Sequence, residues 1–118
     1  MQLIRHIVLI NWKDGVGKRE IEDWVALCNR IPDECPMVYN WVSSYSVDGP
    51  PEAKPSSHAF CVHLDLRSPE EWAQYISHPF PGRVYSEALK IIDLDRTAST
   101  NVLVNAEPTR SRSQVLQA

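Results

Sequence analysis

A chain of 118 residues, 43% of them hydrophobic, has the size and composition of one globular domain with one core. A net charge of −3 with no basic run in the part expected to fold argues against a nucleic-acid surface. No apolar run approaches the ~20 residues of a membrane span, and the opening Met-Gln-Leu-Ile-Arg-His enters a strand pattern without a charged leader region or cleavage site. Three cysteines (Cys28, Cys35 and Cys61), an odd number without a CxxC pair, point to a reduced, cytoplasmic protein.

Leu3 to Trp12 is apolar on both alternating sets. Ile4, Val8, Ile10 and Trp12 share one face with His6, while Leu3, Ile7 and Leu9 share the other with Arg5 and Asn11. A strand half exposed to water alternates more cleanly. Both faces are therefore expected to be covered, one by helices and the other by a second subunit.

Asp14 to Gly17 reads as a turn. A helix is predicted over Lys18 to Ile31, with Ile21, Trp24, Val25, Cys28 and Ile31 as its apolar stripe and Pro32 as its end. Met37 to Val47, rich in β-branched and aromatic residues, reads as a second strand. The longest loop, Asp48 to Ser57, holds three prolines and a glycine. His58 to Leu66 is the third strand, with Phe60, Val62, Leu64 and Leu66 on its apolar face.

The stretch from Ser68 to Gly82 carries the clearest local instructions. Ser68 is a good N-cap, Pro69 suits the first helical position, and Glu71 completes a capping box. Trp72, Tyr75 and Ile76 then share a helical face. Pro79 drives His78 out of helical geometry, and Pro81 adds a second block. Tyr75 and His78 thus stand at the end of a short helix beside a rigid turn. Taken alone, these residues also fit a plainer reading in which Tyr75 packs and His78 ends the helix. A further helix over Arg83 to Ile92 and a last strand over Thr97 to Val104 follow. From Glu107 onward the composition is that of a polar, disordered tail, so the domain is expected to occupy residues 1–106 and the tail 107–118.

The order β-α-β-β-α-α-β predicts a ferredoxin-like α+β sandwich. One sheet face takes the helices and the other is left for a homodimer.

At this point the chain resembles a known family, the dimeric α/β-barrel domain called the stress-responsive A/B barrel, or Dabb. The resemblance rests on Ile4 to Ile10 with its His6, on Ala59 to Leu66 with the following Ser68, and on Gln74-Tyr75-Ile76-Ser77-His78-Pro79. It covers roughly residues 3 to 104. It implies pairing of two sheets into a closed barrel. The subgroup it is most similar to is that of the plant polyketide (olivetolic acid) cyclase, which closes a linear poly-β-keto thioester by aldol condensation with no metal or organic cofactor. By that resemblance His6 is a first-strand pocket histidine, Tyr75 a catalytic tyrosine, and His78 the opening histidine of a His-Pro-x-His motif. The second histidine of that motif, the cyclase's base, is replaced here by Pro81, and a third-strand pocket histidine is replaced by Phe60. His58 lies two residues earlier on the same strand face as a candidate replacement.

Aldol or Claisen closure needs one group to take a carbon-bound proton and another to stabilise the oxygen that gains charge. His6, His58 and His78 with Tyr75 can fill both roles if they meet in one cavity. Phe60, Phe80, Trp24 and Trp72 are the expected apolar lining, or else ordinary core. Cys61 and His63 share a strand face without a visible third or fourth metal ligand. Neither a serine elbow nor a phosphate loop is present. The expectation is a cofactor-independent enzyme acting on a small apolar carbonyl substrate. Two alternatives stay open: a cofactor-free monooxygenase of a phenol, needing Asn11, Trp12 and Trp41, and a non-catalytic stress-responsive dimer.

Overall fold

The computed structural model describes residues 1–110. Its strands are β1 (Gln2–Ile10), β2 (Tyr39–Tyr45), β3 (Phe60–Leu66) and β4 (Ala98–Asn105). Its helices are α1 (Lys18–Cys28), α2 (Ile31–Glu34), α3 (Pro69–Ser77) and α4 (Pro79–Ala88), and a 3₁₀ turn spans Leu94–Arg96. The sheet order is β2-β3-β1-β4 with antiparallel pairing throughout. This is the ferredoxin-like α+β fold expected from the sequence.

Two prolines expected to stop helices lie inside them. Pro32 is the second residue of α2, and Pro81 is the third of α4, which begins at Pro79 rather than Arg83. The first-turn amides of a helix have no intrahelical acceptor, so a ring in place of N–H costs little there. Two helices end short of their predicted limits, α1 at Cys28 rather than Ile31 and α4 at Ala88 rather than Ile92.

The register sorts the sheet residues. On the helix face lie Ile10 of β1 and Phe60, Val62, Leu64 and Leu66 of β3, packed with Trp24 and Cys28 of α1 and Phe80, Val84 and Ala88 of α4. Trp12, Trp24 and Phe60 form an aromatic nest with centroids 5.7–6.3 Å apart. Phe60 is essentially inaccessible. Replacing such a side chain with alanine costs about 3–5 kcal/mol.

The opposite face follows the alternate register. Arg5 stands opposite Asp65, Ile7 opposite His63 and Leu9 opposite Cys61. Val42 and Val102, on the same face, are 44% and 40% exposed. At one end this face is closed by the chain after β4. Ala106 donates its N–H to the Met1 carbonyl, and the segment then crosses to Asn40 on the far edge strand. Asn40 has φ +52° and marks a bulge in β2, where the register slips between Tyr39 and Val42. The tail expected from residue 107 lies outside the described residues from 111 on; residues 107–110 are described and docked. No helix among the described residues is long and apolar enough to cross a membrane.

Candidate active site

The helix pair α3–α4 is built by caps. The Ser68 hydroxyl accepts from the Glu71 N–H at 3.2 Å. The Glu71 carboxylate reaches past Ser68 to Arg67, accepting from its backbone N–H at 2.9 Å and from its guanidinium at 2.7 Å. The box anticipated from the sequence is thus displaced by one residue, because the arginine offers a charged donor. At the other end, His78 alone separates the helices. Pro79 forces it into extended geometry (φ −68°, ψ 136°), so it ends α3 and caps α4. Its Nδ1 accepts from the Phe80 N–H at 3.1 Å, and Cys35 Sγ lies 3.8 Å from the same nitrogen.

His6 enters from the middle of β1 on the helix face. Its Nδ1 meets Asn101 Oδ1 of β4 at 2.8 Å, and its ring lies 4.8 Å from that of Trp72. Trp72 in turn stacks on Tyr75 at 6.1 Å with an interplanar angle of 23°. Ile76, expected on the packing face with them, is 61% exposed. The result is a run of side chains, His6–Trp72–Tyr75, from the sheet centre toward the α3–α4 junction, where Cys35 and His78 pair.

Burial sets the charge state of this region. It lowers the His6 pKa from its ordinary value, against the Asn101 hydrogen bond that raises it. It raises the Tyr75 phenol well above its ordinary value, with the Cys28 and Cys35 thiols adding to the effect. The Cys35 thiol is pushed up to about 11 by burial and by Glu34. At neutral pH the region therefore holds a neutral imidazole, a protonated phenol and a protonated thiol. His6 Nε2, the Tyr75 hydroxyl and His78 Nε2 have no hydrogen-bond partner among the described residues. None of them is an enclosed orphan, a condition met there by His63 Nδ1 on the opposite sheet face. Each of these three polar atoms is left with unused hydrogen-bonding capacity.

Other expected site residues lie elsewhere. His58 precedes β3 and pairs with the Ser57 hydroxyl at 2.8 Å. His6 faces Leu64, six positions further along that strand, which at ~3.3 Å per residue separates the two imidazoles by about 20 Å. His58 instead lines a surface groove of about 340 Å³ with Asn11, Ser57, Asp95, Arg96, Thr97 and Ala98. The antiparallel pairing of β1 with β3 runs their ends in opposite directions, so the two histidines do not meet. Trp24, Phe60 and Phe80 are buried in the core; Trp72 packs its ring against His6 and Tyr75, and Phe80 meets His78 through its backbone N–H. Trp24 Nε1 donates to the Val84 carbonyl at 3.1 Å, and Phe80 lies beneath Arg30 at 5.0 Å. The Asn11 amide ties Ser57 to Arg96, Trp12 belongs to the aromatic nest, and Trp41 donates to Asn29. Cys61 and His63 face away from the helices, and among the described residues no three His, Cys, Asp or Glu side chains converge as metal ligands.

Two residues that the sequence reasoning missed are Cys35 and Asn101. Each meets a histidine far away in sequence, and no local pattern marks either.

No family model matches this chain, and no curated protein matches it in sequence. Solved structures match it in fold. The hydroxynitrile lyase from Passiflora edulis aligns with a TM-score of 0.76 and 14% identity, over 89% of this chain and 95% of its own. A dimeric ferredoxin-like protein of unknown function from Thermobifida fusca gives 0.68 and 19%, over 89% and 92%. A Dabb family protein with a ferredoxin-like fold from Mesorhizobium loti gives 0.64 and 13%, over 91% and 99%. At these identities the shared feature is the fold.

Proposed function

We propose that the protein is a cofactor-independent enzyme of the polyketide-cyclase kind, closing a ring in a small, reactive carbonyl substrate by an aldol or Claisen-type step. The observation that carries this reading is the 2.8 Å contact between His6 Nδ1 and Asn101 Oδ1. An amide oxygen only accepts, so Nδ1 bears the proton and Nε2 keeps its lone pair. An imidazole kept neutral by burial, with Nε2 open, suits a general base near neutral pH.

In the reaction, His6 Nε2 takes a proton from the carbon between two carbonyls. The resulting enolate carbon attacks a distal carbonyl carbon and forms the new C–C bond. The oxygen that gains the electron pair receives a proton from Tyr75, whose phenol burial keeps protonated. Proton return from the His6 imidazolium to the tyrosinate restores the starting state. Trp72, between the two groups, supplies an apolar wall on which a planar enol can lie. A hydroxynitrile lyase with the same fold supports small-molecule catalysis on this scaffold in general.

The reading includes a second copy of the chain across the open sheet face. Its support is the partly exposed Val42 and Val102 beside Ile7 and Leu9, and the description of fold relatives as dimeric.

The test is turnover of a linear poly-β-keto thioester by the intact protein, followed by mass spectrometry of cyclised products. His6→Gln is expected to lower kcat by ~10²–10⁴-fold, and Tyr75→Phe to lower it as well. Wild-type rates in both variants would place the chemistry elsewhere. A correctly folded wild type without turnover on any such thioester would favour the non-catalytic dimer.

A further inference from the structure

The two imidazoles at the helix face are held in opposite ways. His6 meets an acceptor at Nδ1, whereas His78 meets donors there. The Phe80 backbone N–H points at His78 Nδ1 from 3.1 Å and can only donate. Cys35 Sγ stands 3.8 Å from the same nitrogen. Its side chain is fully enclosed, with 0% relative exposure, so no water competes for the thiol. Were Nδ1 to carry the proton, two donors would face each other at Phe80 and the helix-capping hydrogen bond would be lost. The imidazole proton must then sit on Nε2.

We infer that Cys35 is a positioning residue which, with the Phe80 amide, fixes His78 as the Nε2–H tautomer, making His78 a hydrogen-bond donor to substrate oxygen. This rests on the proposed cyclase reading for its catalytic part, though the tautomer itself does not. It divides the labour between the two imidazoles. His6 offers an Nε2 lone pair and takes the carbon-bound proton. His78 offers an Nε2 proton toward a carbonyl oxygen. It also accounts for Pro81: with His6 as base, the helix needs no second histidine after His78, and its first turn can carry a proline. The thiol takes no covalent part. It stays protonated, and no bond to sulfur forms or breaks.

The experiment uses uniformly ¹⁵N-labelled full-length protein, with the ring nitrogens of His6 and His78 assigned by long-range proton–nitrogen correlation at a pH where imidazoles are neutral. The expected wild-type pattern is an unprotonated Nδ1 for His78 and an unprotonated Nε2 for His6. An Nδ1–H pattern for His78 in the wild type overturns the inference without any variant being made. Cys35→Val keeps the bulk but loses the S–H. It is expected to move both His78 nitrogen shifts toward the tautomer average and to lower kcat about fivefold with little change in KM. Cys35→Ser, which restores a donor, is expected to recover both readouts. Unchanged His78 shifts in Cys35→Val would remove Cys35 from the role. The expected shifts in a protein that turns over no poly-β-keto thioester would uphold the tautomer and sink only the cyclase reading.

Discussion

Asn40 and Thr109 exchange two hydrogen bonds across the end of the sheet: the Asn40 N–H donates to the Thr109 carbonyl at 2.8 Å, and the Thr109 N–H donates to Asn40 Oδ1 at 2.9 Å. The Asn40 amide nitrogen also donates to the Glu107 carbonyl at 3.0 Å and to Asp65 Oδ2 at 2.7 Å. Asparagine tolerates the left-handed backbone at this bulge better than most residues. One residue thus bends β2, satisfies a buried carboxylate and anchors the chain after β4. Arg110 adds its guanidinium 5.0 Å from the Tyr39 ring centre.

Ending the chain after Ala106 is therefore expected to lower Tm, although composition alone makes that stretch look dispensable. Asn40→Ala is expected to cost more than Asn40→Gly. Both lose the side-chain bonds, and alanine also meets left-handed strain of ~1–2 kcal/mol. Differential scanning calorimetry of the three proteins checks this. A truncated chain that melts with the full-length protein would mean that the docking contributes nothing to stability.

Among the described residues, Arg5 and Asp65 form the one ion pair that involves a fully buried carboxylate. Arg5 donates to both carboxylate oxygens, at 2.8 and 2.9 Å. Burial pushes the Asp65 pKa up, but the Arg5 and Asn40 hydrogen bonds outweigh it and hold the group below its ordinary value. Arg5→Leu would leave the carboxylate enclosed without a counter-charge, at a cost of ~3–5 kcal/mol in unfolding free energy. The sign with pH follows from the lowered folded pKa. The pair's contribution is present above the ordinary Asp value, near 3.8, and is lost as pH falls through the folded value. Urea titrations from pH 6 down to pH 3 should show the wild type losing its advantage over Arg5→Leu. An equal stability of the two proteins at pH 6 would contradict this.

How much of this was legible depended on the range of the interaction. Element order followed from periodicity, and the two-sided apolar character of β1 followed from residues 3 to 12. Helix limits failed at Pro32 and Pro81, because a proline in a first turn and a proline after a last turn look alike in sequence. The bulge at Asn40 was hidden in a run of strand formers. Its cause is a tertiary contact with Thr109, 69 residues away. Tyr75 and His78 were found because caps and prolines act locally. Asn101 and Cys35 were not, because they meet His6 and His78 across 95 and 43 residues. His58 was placed with His6 on strand adjacency alone, whereas the register decides which residues meet.

The open sheet face supplies the next prediction. Ile7 lies there opposite His63 and Thr100, midway along β1. The intact protein is expected to scatter light as a dimer at micromolar concentration, and Ile7→Glu to scatter as a monomer with its circular dichroism retained. A monomeric mass for the wild type would leave this face without the proposed partner.

The last prediction concerns the His6 proton. Burial lowers its folded pKa below the ordinary histidine value of 6.5, against the opposing pull of Asn101. For stability, the neutral form is favoured in the fold. The contribution is full above the unfolded pKa near 6.5 and declines as pH falls toward the folded value. For activity, the base works only when neutral, so the acid limb of kcat/KM should lie below pH 6.5. Asn101→Asp sets a carboxylate beside Nδ1–H and favours the imidazolium, moving that limb to higher pH. Asn101→Ala removes the bond that raises the pKa, so the limb should move lower while kcat falls as the tautomer loosens. His6→Gln abolishes the limb and leaves a low, flat profile. The two Asn101 variants moving the limb in opposite directions would identify His6 as the titrating base. A limb that stays in place in both would assign it to another group.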